Sequence, residues 1–202
     1  MNDGSFGHHD PAFIERLKAR DEQAFNEFVT QYQHRLFSFV LRSLGNPQDA
    51  EDLVQEVFVK VFKAIDQFRG EAKLSTWVYQ ITINVCRNRA DYLRRRATNR
   101  QEVFDDLTER RSGGRHVPSL SSIPRPDEAI EGMQIERLIQ RTIHEMDEDF
   151  RYPLLLRDVE DLTYDEIAQV TGLPLNTVRS RIHRARQQLR TAIEANFGEK
   201  QP

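Results

Sequence analysis

The sequence contains a single cysteine, Cys86, among 202 residues. One cysteine can form neither an internal disulfide nor a cysteine-rich zinc site, which excludes disulfide scaffolds and zinc fingers. A cysteine-poor chain is typical of a reducing compartment, so we expect the protein to work in the cytoplasm. The first ten residues are polar and carry no apolar signal segment, so we expect no secretion by that route.

Long apolar runs and glycine-rich loops are also missing. No stretch approaches the ~20 apolar residues that cross a bilayer, so we expect no membrane insertion. Hydrophobic residues make up 38% of the chain and charged residues 30%, which favours small helical units over one large core. The nine glycines form no phosphate-binding loop, and no histidine, cysteine or carboxylate spacing predicts a metal site or a nucleophile. We therefore expect no cofactor, no metal and no enzyme activity.

Charge is unevenly distributed along the chain, although the net charge is only −3. Residues 84–100 carry a net charge of +5 and residues 174–190 also carry +5, whereas residues 143–162 carry −5 and residues 46–60 carry −3. Local patches, and not the total, decide which partner meets which surface. Two basic segments therefore remain candidates for nucleic-acid binding.

Apolar residues recur at helical spacing along most of the chain, and no alternating strand pattern competes. The pattern predicts helices over residues 11–20, 21–44, 47–65, 75–96, 126–146, 150–159, 164–170 and 174–195. Asn46, Ser75 and Thr163 are predicted to cap three of them, and Pro47 suits a first helical position. The predicted apolar stripe of the third helix consists of Ala50, Leu53, Val54, Val57, Phe58, Val61, Phe62 and Ile65.

Periodicity disappears between residues 97 and 126, where Ser112-Gly113-Gly114 precedes a proline-rich stretch. This composition predicts a flexible linker between two domains. A long ordered loop is the alternative.

The last two predicted helices form the strongest functional motif. They are joined by a short turn containing Gly172, which is typical of a helix-turn-helix. Leu175, Val178, Ile182, Ala185 and Leu189 form the predicted core stripe of the second helix. Arg179, Ser180, His183, Arg184 and Arg186 then point mostly to solvent, where arginine can contact guanine and phosphates. An ordinary amphipathic surface helix is the alternative, but such a face normally mixes glutamate with arginine.

Residues 68–96 combine aromatic side chains with asparagine and arginine. Trp77 and Tyr79 precede Asn84, Arg87 and Asn88, and three consecutive arginines follow at 94–96. Aromatic faces stack on unpaired bases and arginine follows phosphates, so the segment favours single-stranded nucleic acid. The alternative is that Trp77 and its apolar neighbours belong to the core. The acidic helix over residues 49–63 is either a docking face for a basic protein surface or a solvated helix face.

Four motifs in this order resemble a bacterial extracytoplasmic-function sigma factor. They are DAEDLVQEVF at 49–58, FRG at 68–70 followed by STWVY at 75–79, LTYDEIA at 162–168, and NTVRSRIHRAR at 176–186. The resemblance implies an all-α protein with a sigma-2-like helical bundle at 11–97, a flexible linker at 98–127 and a sigma-4-like helix-turn-helix domain at 128–197. It implies an alternative sigma factor that binds RNA polymerase core, recognises −35 and −10 promoter elements and promotes DNA melting.

The resemblance also implies roles for individual residues and partners. The face that docks the clamp helices of the polymerase β′ subunit is implied for Asp49, Asp52, Gln55 and Glu56. Contact with the −10 element is implied for Phe68, Trp77, Asn84, Arg87 and Asn88. Contact with the −35 element is implied for Thr177, Arg179, Ser180, His183 and Arg184. Further implied partners are the polymerase β flap, promoter DNA and an anti-sigma factor that can hold the protein at the membrane until a stress signal arrives.

Two other hypotheses remain open. A stand-alone helix-turn-helix repressor or activator would use the N-terminal region for sensing or dimerisation. An enzyme acting on nucleic acid, such as a recombinase, would need a nucleophile or metal-binding carboxylates.

Overall fold

The computed structural model describes residues 10–103 and 126–197, with side chains for 10–96 and 132–197. These residues form eight α-helices and one short 3₁₀ turn at Ile65–Gln67, without a β-strand. The helices of the first half are α1 (Pro11–Lys18), α2 (Glu22–Leu44), α3 (Pro47–Ala64) and α4 (Leu74–Val103). Those of the second half are α5 (Pro126–Glu145), α6 (Glu148–Asp158), α7 (Tyr164–Thr171) and α8 (Leu175–Phe197). The all-α prediction is confirmed.

Local sequence signals explain where the helices of the first half begin and end. The Asp21 side chain accepts hydrogen bonds from the first turn of α2, and Gly45 ends that helix in the left-handed region at φ +74°. Asn46 caps α3 in the same way, and Pro47 occupies the first helical position as predicted. Helix α4 begins at Leu74, one residue before Ser75, so the prediction that Ser75 caps this helix is wrong. Ser75 is instead buried in the first turn.

The second half is a helix-turn-helix built on two supporting helices. Asp147 caps α6, and Thr163 and Glu166 form the predicted reciprocal capping box at the start of α7. Gly172 ends α7 at φ +70°, a backbone conformation that costs residues with a Cβ about 1–2 kcal/mol. This turn sets the direction in which α8 leaves α7.

The predicted linker at 98–127 is only partly described. Helix α4 continues to Val103 and α5 begins at Pro126. Both ends of the predicted linker are therefore helical. Residues 104–125, with the arginines 110, 111 and 115 and Arg125, lie outside the described residues.

The two halves pack on each other through a shared buried core. Helices α5 and α6 contact α2, and α7 contacts α4. The rings of Phe39 on α2 and Tyr152 on α6 are stacked with centroids 6.3 Å apart. Both rings are fully buried. The second half therefore covers one side of the first.

Candidate functional site

The exposed face of α8 brings together four of the residues predicted to read duplex DNA. Val178, Ile182 and Ala185 are buried against the domain core. Because these positions recur every three or four residues, the opposite side of the helix faces solvent, where the structure places Arg179, Ser180, His183 and Arg184. Thr177 is half-buried, and its backbone carbonyl accepts a hydrogen bond from the Ser180 hydroxyl at 3.0 Å.

Two other arginines of α8 are held by carboxylates of α6. Arg181 donates two hydrogen bonds of 2.9 Å to the carboxylate of Asp149. Arg186 donates bonds of 3.0 and 2.5 Å to Asp158. Arg186 is exposed, as predicted, but its guanidinium is paired with Asp158. The acidic charge of residues 143–162 was the sequence signal for these pairs.

The arginines of the exposed face have a different environment. Within the described part of the chain, no carboxylate pairs with Arg179 or Arg184. The Arg179 guanidinium lies 5.9 Å from the ring centroid of Tyr164, which packs it loosely against the start of α7. These two arginines are thus the cations of α8 that remain available to an anionic ligand, whereas Arg190 pairs with Glu194 at 2.8 Å.

Helix α4 presents a second polar face. Asn84 and Asn88 are exposed one turn apart, so their side chains share a face. Arg87 is half-buried, and its guanidinium lies 5.5 Å from the ring centroid of Tyr152 in the second half. Arg87 is therefore engaged inside the molecule, although it belongs to the predicted −10 set.

The aromatic residues of the predicted −10 set form part of the core. Phe68 is only 4% exposed, and its ring lies 5.4 Å from that of Trp77, which is half-buried. In this conformation Trp77 therefore fits the alternative that it belongs to the core better than the prediction that its ring is free to stack on a base. In the loop that follows Phe68, Arg69, Gly70 and Glu71 are exposed, and Gly70 adopts φ +74°.

The acidic face of α3 is exposed but is not uniformly free. Asp52, Gln55 and Glu56 face solvent, and Glu56 pairs with Lys60 at 3.0 Å. Asp49 instead binds the Arg89 guanidinium of α4 and is only 17% exposed. This pairing raises the pKa of Arg89 above its ordinary value, chiefly through the hydrogen bond to Asp49.

Two apolar side chains extend the acidic face towards the end of α3. Val59 is 50% exposed and Phe62 is 45% exposed. Phe62 belongs to the predicted core stripe, but it packs at the surface against Phe25 at 4.7 Å and under the Arg20 guanidinium at 4.5 Å. Phe62 therefore lies at the exposed end of the predicted apolar stripe, where it still packs on another apolar ring.

Comparison with known proteins assigns the chain to a family. Residues 28–99 match the family model of sigma-70 region 2, and residues 136–189 match that of sigma-70 region 4. The chain is 35% identical over 185 residues to the ECF RNA polymerase sigma-E factor of Haemophilus influenzae, which covers 92% of this chain and 95% of that protein. The chain belongs to the ECF sigma factors.

Other relatives agree with this assignment. The RNA polymerase sigma-H factor of Pseudomonas aeruginosa is 35% identical, over 92% of this chain and 94% of its own length. Among solved structures, CnrH in complex with the cytosolic domain of CnrY has a TM-score of 0.63 at 22% identity, covering 91% of this chain and 96% of CnrH. The sigma factor RpoE of Bartonella quintana, solved with the anti-sigma factor NepR, has a TM-score of 0.61 at 21% identity, covering 84% and 96%. These two structures show the shared fold.

The chain is therefore an alternative sigma factor that acts in transcription initiation, in a family of DNA-binding initiation factors. Region 2 contains α3 and the described side chains of α4, and region 4 contains α6, α7 and most of α8. Over the described residues of this sigma factor, no group of three or more histidine, cysteine, aspartate or glutamate side chains is placed to hold a metal ion. Nor does any described helix have the length and hydrophobicity needed to span a bilayer.

Cys86, the single cysteine of the chain, is fully buried in α4. Burial raises the pKa of its thiol to about 12, which keeps the thiol protonated at neutral pH.

Proposed function

We propose that this sigma factor directs core RNA polymerase to promoters through three surfaces on different helices. The face of α3 docks the polymerase, the face of α4 and the preceding loop bind the −10 strand, and α8 reads the −35 duplex. The observation that carries this proposal is α8, where paired arginines orient the helix and Arg179 and Arg184 remain exposed.

The proposed −35 contact uses the N-terminal half of α8. A helix of this kind fits the major groove, where an arginine can donate two hydrogen bonds to one guanine. Arg179 and Arg184 are the proposed cationic contacts, and Thr177, Ser180 and His183 supply the polar groups beside them. The capping box at Thr163 and the left-handed Gly172 support this role because they set the angle between α7 and α8.

The proposed −10 contact uses the asparagines of α4. Asn84 and Asn88 offer both donors and acceptors to the edge of an unpaired base, and Arg87 offers charge to the strand. Unpairing a base costs a few kcal/mol, which stacking and hydrogen bonds in a protein pocket offset. Because Phe68 and Trp77 pack together, we assign them the task of shaping the loop at residues 69–73 that would receive the base.

The proposed polymerase surface centres on Asp52, Gln55 and Glu56. These side chains suit the basic surface expected of the β′ clamp helices, and the exposed Val59 and Phe62 add apolar area next to them. Asp49 contributes indirectly in this proposal, because its bond to Arg89 joins α3 to α4. Docking both domains on one polymerase, with the β flap holding region 4, raises their effective concentration on one promoter.

We further propose that an anti-sigma factor regulates the chain in the cytoplasm, at the membrane where that factor is membrane-bound, and releases it under stress. The support is that the RpoE relative of the fold was solved with its anti-sigma factor NepR. We propose that the chain acts by binding alone and leaves nucleotide chemistry to the polymerase.

The test is a pull-down of bacterial core RNA polymerase with the purified chain, followed by run-off transcription on genomic fragments. We expect stoichiometric binding and discrete new start sites, from which aligned −35 and −10 elements can be read. Failure to bind active core polymerase, combined with strong palindromic footprints by the protein alone, would instead identify a stand-alone helix-turn-helix regulator.

Charge reversal on α3 tests the docking face. We expect Asp52→Arg to weaken binding to core polymerase at least about tenfold, because reversing a rim charge changes both attraction and repulsion. Glu15→Arg on α1 is the matched control, since Glu15 is also an exposed carboxylate but lies outside the proposed face. Equal polymerase affinity in both variants, with unchanged melting temperatures, would remove Asp52 from the docking surface.

A further inference from the structure

Helix α4 carries an exposed aromatic ring in the basic part of region 2. Within the described residues, two large aromatic side chains are exposed, Phe62 at 45% and Tyr92 at 49%. Phe62 lies at the end of the acidic face of α3, whereas Tyr92 belongs to a segment, residues 91–96, that holds three arginines and one aspartate. Because the sign of the local charge selects the partner, the ring of Tyr92 suits an anionic ligand and the ring of Phe62 does not.

The position of Tyr92 on α4 aligns its side chain with the asparagines proposed to contact the −10 strand. Asn84, Asn88 and Tyr92 follow one another at intervals of four residues, and all three are exposed. Side chains at this spacing lie on one face of a helix. The helix rises about 12 Å from Asn84 to Tyr92. A stacked strand advances about 3.4 Å per nucleotide, so Tyr92 lies within about four nucleotides of a base held at Asn84.

An ion pair with α3 holds the ring of Tyr92 in place. The Arg89 guanidinium lies 5.7 Å from the centroid of that ring. The same guanidinium donates a hydrogen bond to Asp49, whose side chain is only 17% exposed. A guanidinium over an aromatic face is a favourable cation–π contact. Because Asp49 anchors Arg89, this contact restrains the ring at the surface and reduces the conformational entropy that binding would remove.

The arginines that follow the ring can supply charge to a DNA strand. Arg94 is paired with Glu148 of α6 at 2.8 Å, whereas Arg95 and Arg96 are exposed on the last described turn of α4 side chains. Proteins that bind single strands combine aromatic rings, on which bases stack, with basic groups that follow the phosphates. Tyr92 together with Arg95 and Arg96 provides both of these elements on one exposed surface.

We propose that Tyr92 is a stacking site for an unpaired DNA base, next to the bases contacted by Asn84 and Asn88. The ring contacts the flat face of the base, so it adds affinity for strand-separated DNA without selecting one base over another. This inference rests on the proposed function, because it requires the −10 strand to run along α4. The site supplies the stacking that the sequence predicts for Trp77, whose ring packs against Phe68.

Binding of a single-stranded oligonucleotide by the complex of core polymerase with the full chain tests the site. The oligonucleotide carries the −10 element read from the run-off start sites. We expect Tyr92→Leu to weaken its binding about tenfold, the size expected for the loss of one stacked base. Tyr92→Phe keeps the ring and should bind as the wild type does. The salt dependence of binding should be the same in all three proteins, because a neutral ring releases no counterions.

Leu93→Ala is the matched control, since Leu93 is 38% exposed but points about 100° away from Tyr92 around α4. This variant should keep the affinity of the wild type for the oligonucleotide. Equal affinities of Tyr92→Leu, Leu93→Ala and the wild type would overturn the stacking site. We also expect Tyr92→Leu to bind core polymerase as the wild type does. Weaker binding to polymerase would overturn the proposal, because it would place Tyr92 on the docking face beside Asp52.

Fluorescence of 2-aminopurine provides a direct readout of stacking, because it falls when this base stacks on an aromatic ring. The nucleotides of the strand are replaced with 2-aminopurine one at a time and measured at saturating protein. We expect one position, within about four nucleotides of the base whose preference Asn84→Ala changes, where fluorescence rises in Tyr92→Leu but not in Tyr92→Phe. Absence of such a position would overturn the stacking site alone. Failure of the wild-type complex to bind the strand would overturn the proposed −10 function and this site with it.

Discussion

Two arginines of α8 allow DNA reading to be separated from helix positioning. Arg179 is exposed and has no carboxylate partner within the described residues, whereas Arg186 donates two hydrogen bonds to Asp158. Both residues carry the same charge and lie on the same helix. Replacing each with alanine should therefore remove the same charge with different consequences.

The structure sets the size of the two effects. If Arg179 contacts a guanine through two hydrogen bonds, its loss costs about 1–3 kcal/mol of −35 binding and relaxes specificity at one base. If it contacts only phosphate, the loss is uniform across sequences and the salt slope falls by about one. Arg186 and Asp158 are 49% and 35% exposed, and an exposed pair contributes about 0.2–1 kcal/mol to folding. We expect Arg186→Ala to lower stability by that amount and to leave the salt slope unchanged.

Fluorescence anisotropy on a −35 duplex between about 50 and 200 mM salt measures both the affinity and the slope. Urea unfolding of each variant measures stability, and Asp158→Asn should lower stability much as Arg186→Ala does. A phosphate contact would lower the salt slope by about one. If Arg186→Ala lowers the slope by that amount, Arg186 contacts DNA and its assignment to helix positioning is refuted. Unchanged affinity and base preference in Arg179→Ala would refute the reading role of the exposed face.

Two smaller predictions concern the buried Glu160 and the left-handed Gly172. Burial raises the pKa of Glu160, so the folded protein retains a proton that the unfolded chain loses as pH rises above about 4.5, and stability falls over that window. Urea unfolding above a pH of about 4.5 should show the free energy of unfolding of the wild type falling relative to that of Glu160→Gln. A difference between the two proteins that does not change with pH would contradict this prediction. Gly172→Ala should cost about 1–2 kcal/mol at φ +70° although its new Cβ meets no atom within 4 Å. Gly132 lies within a helix, so Gly132→Ala should instead raise the free energy of unfolding by about 0.5–1 kcal/mol in the same assay. If both alanine variants change stability in the same direction, the backbone explanation is excluded.

Local chemistry made most helix ends predictable from the sequence. Asn46 followed by Pro47, and Thr163 followed by Glu166, each satisfy backbone donors within a few residues, so no distant part of the fold is needed to recognise them. Ser75 does not cap the helix because the helix already begins at Leu74, whose side chain is buried in the core. A residue of high capping preference can thus lie inside a helix when tertiary contacts extend it.

The candidate site was predictable to the extent that it follows helix periodicity. Arg179, Ser180 and His183 lie opposite a buried stripe, and that stripe alone places them at the surface. Arg186 also lies outside the stripe, but its partner Asp158 is 28 residues away in the sequence. Helix periodicity predicts which side chains point away from the buried stripe. It does not predict which neighbouring helix those side chains contact.

The contact between regions 2 and 4 was the least predictable feature. Tyr79 fits the apolar pattern of its helix, and Glu160 lies in an acidic segment that suggests solvent. Both side chains are buried in the structure, where Tyr152 of region 4 stacks on Phe39 of region 2. The apolar pattern of each of these helices is accounted for by packing within its own region. Neither pattern therefore indicates contact with the other region. Helix periodicity within one region therefore does not indicate which other region covers it, and this contact had to come from the folded structure.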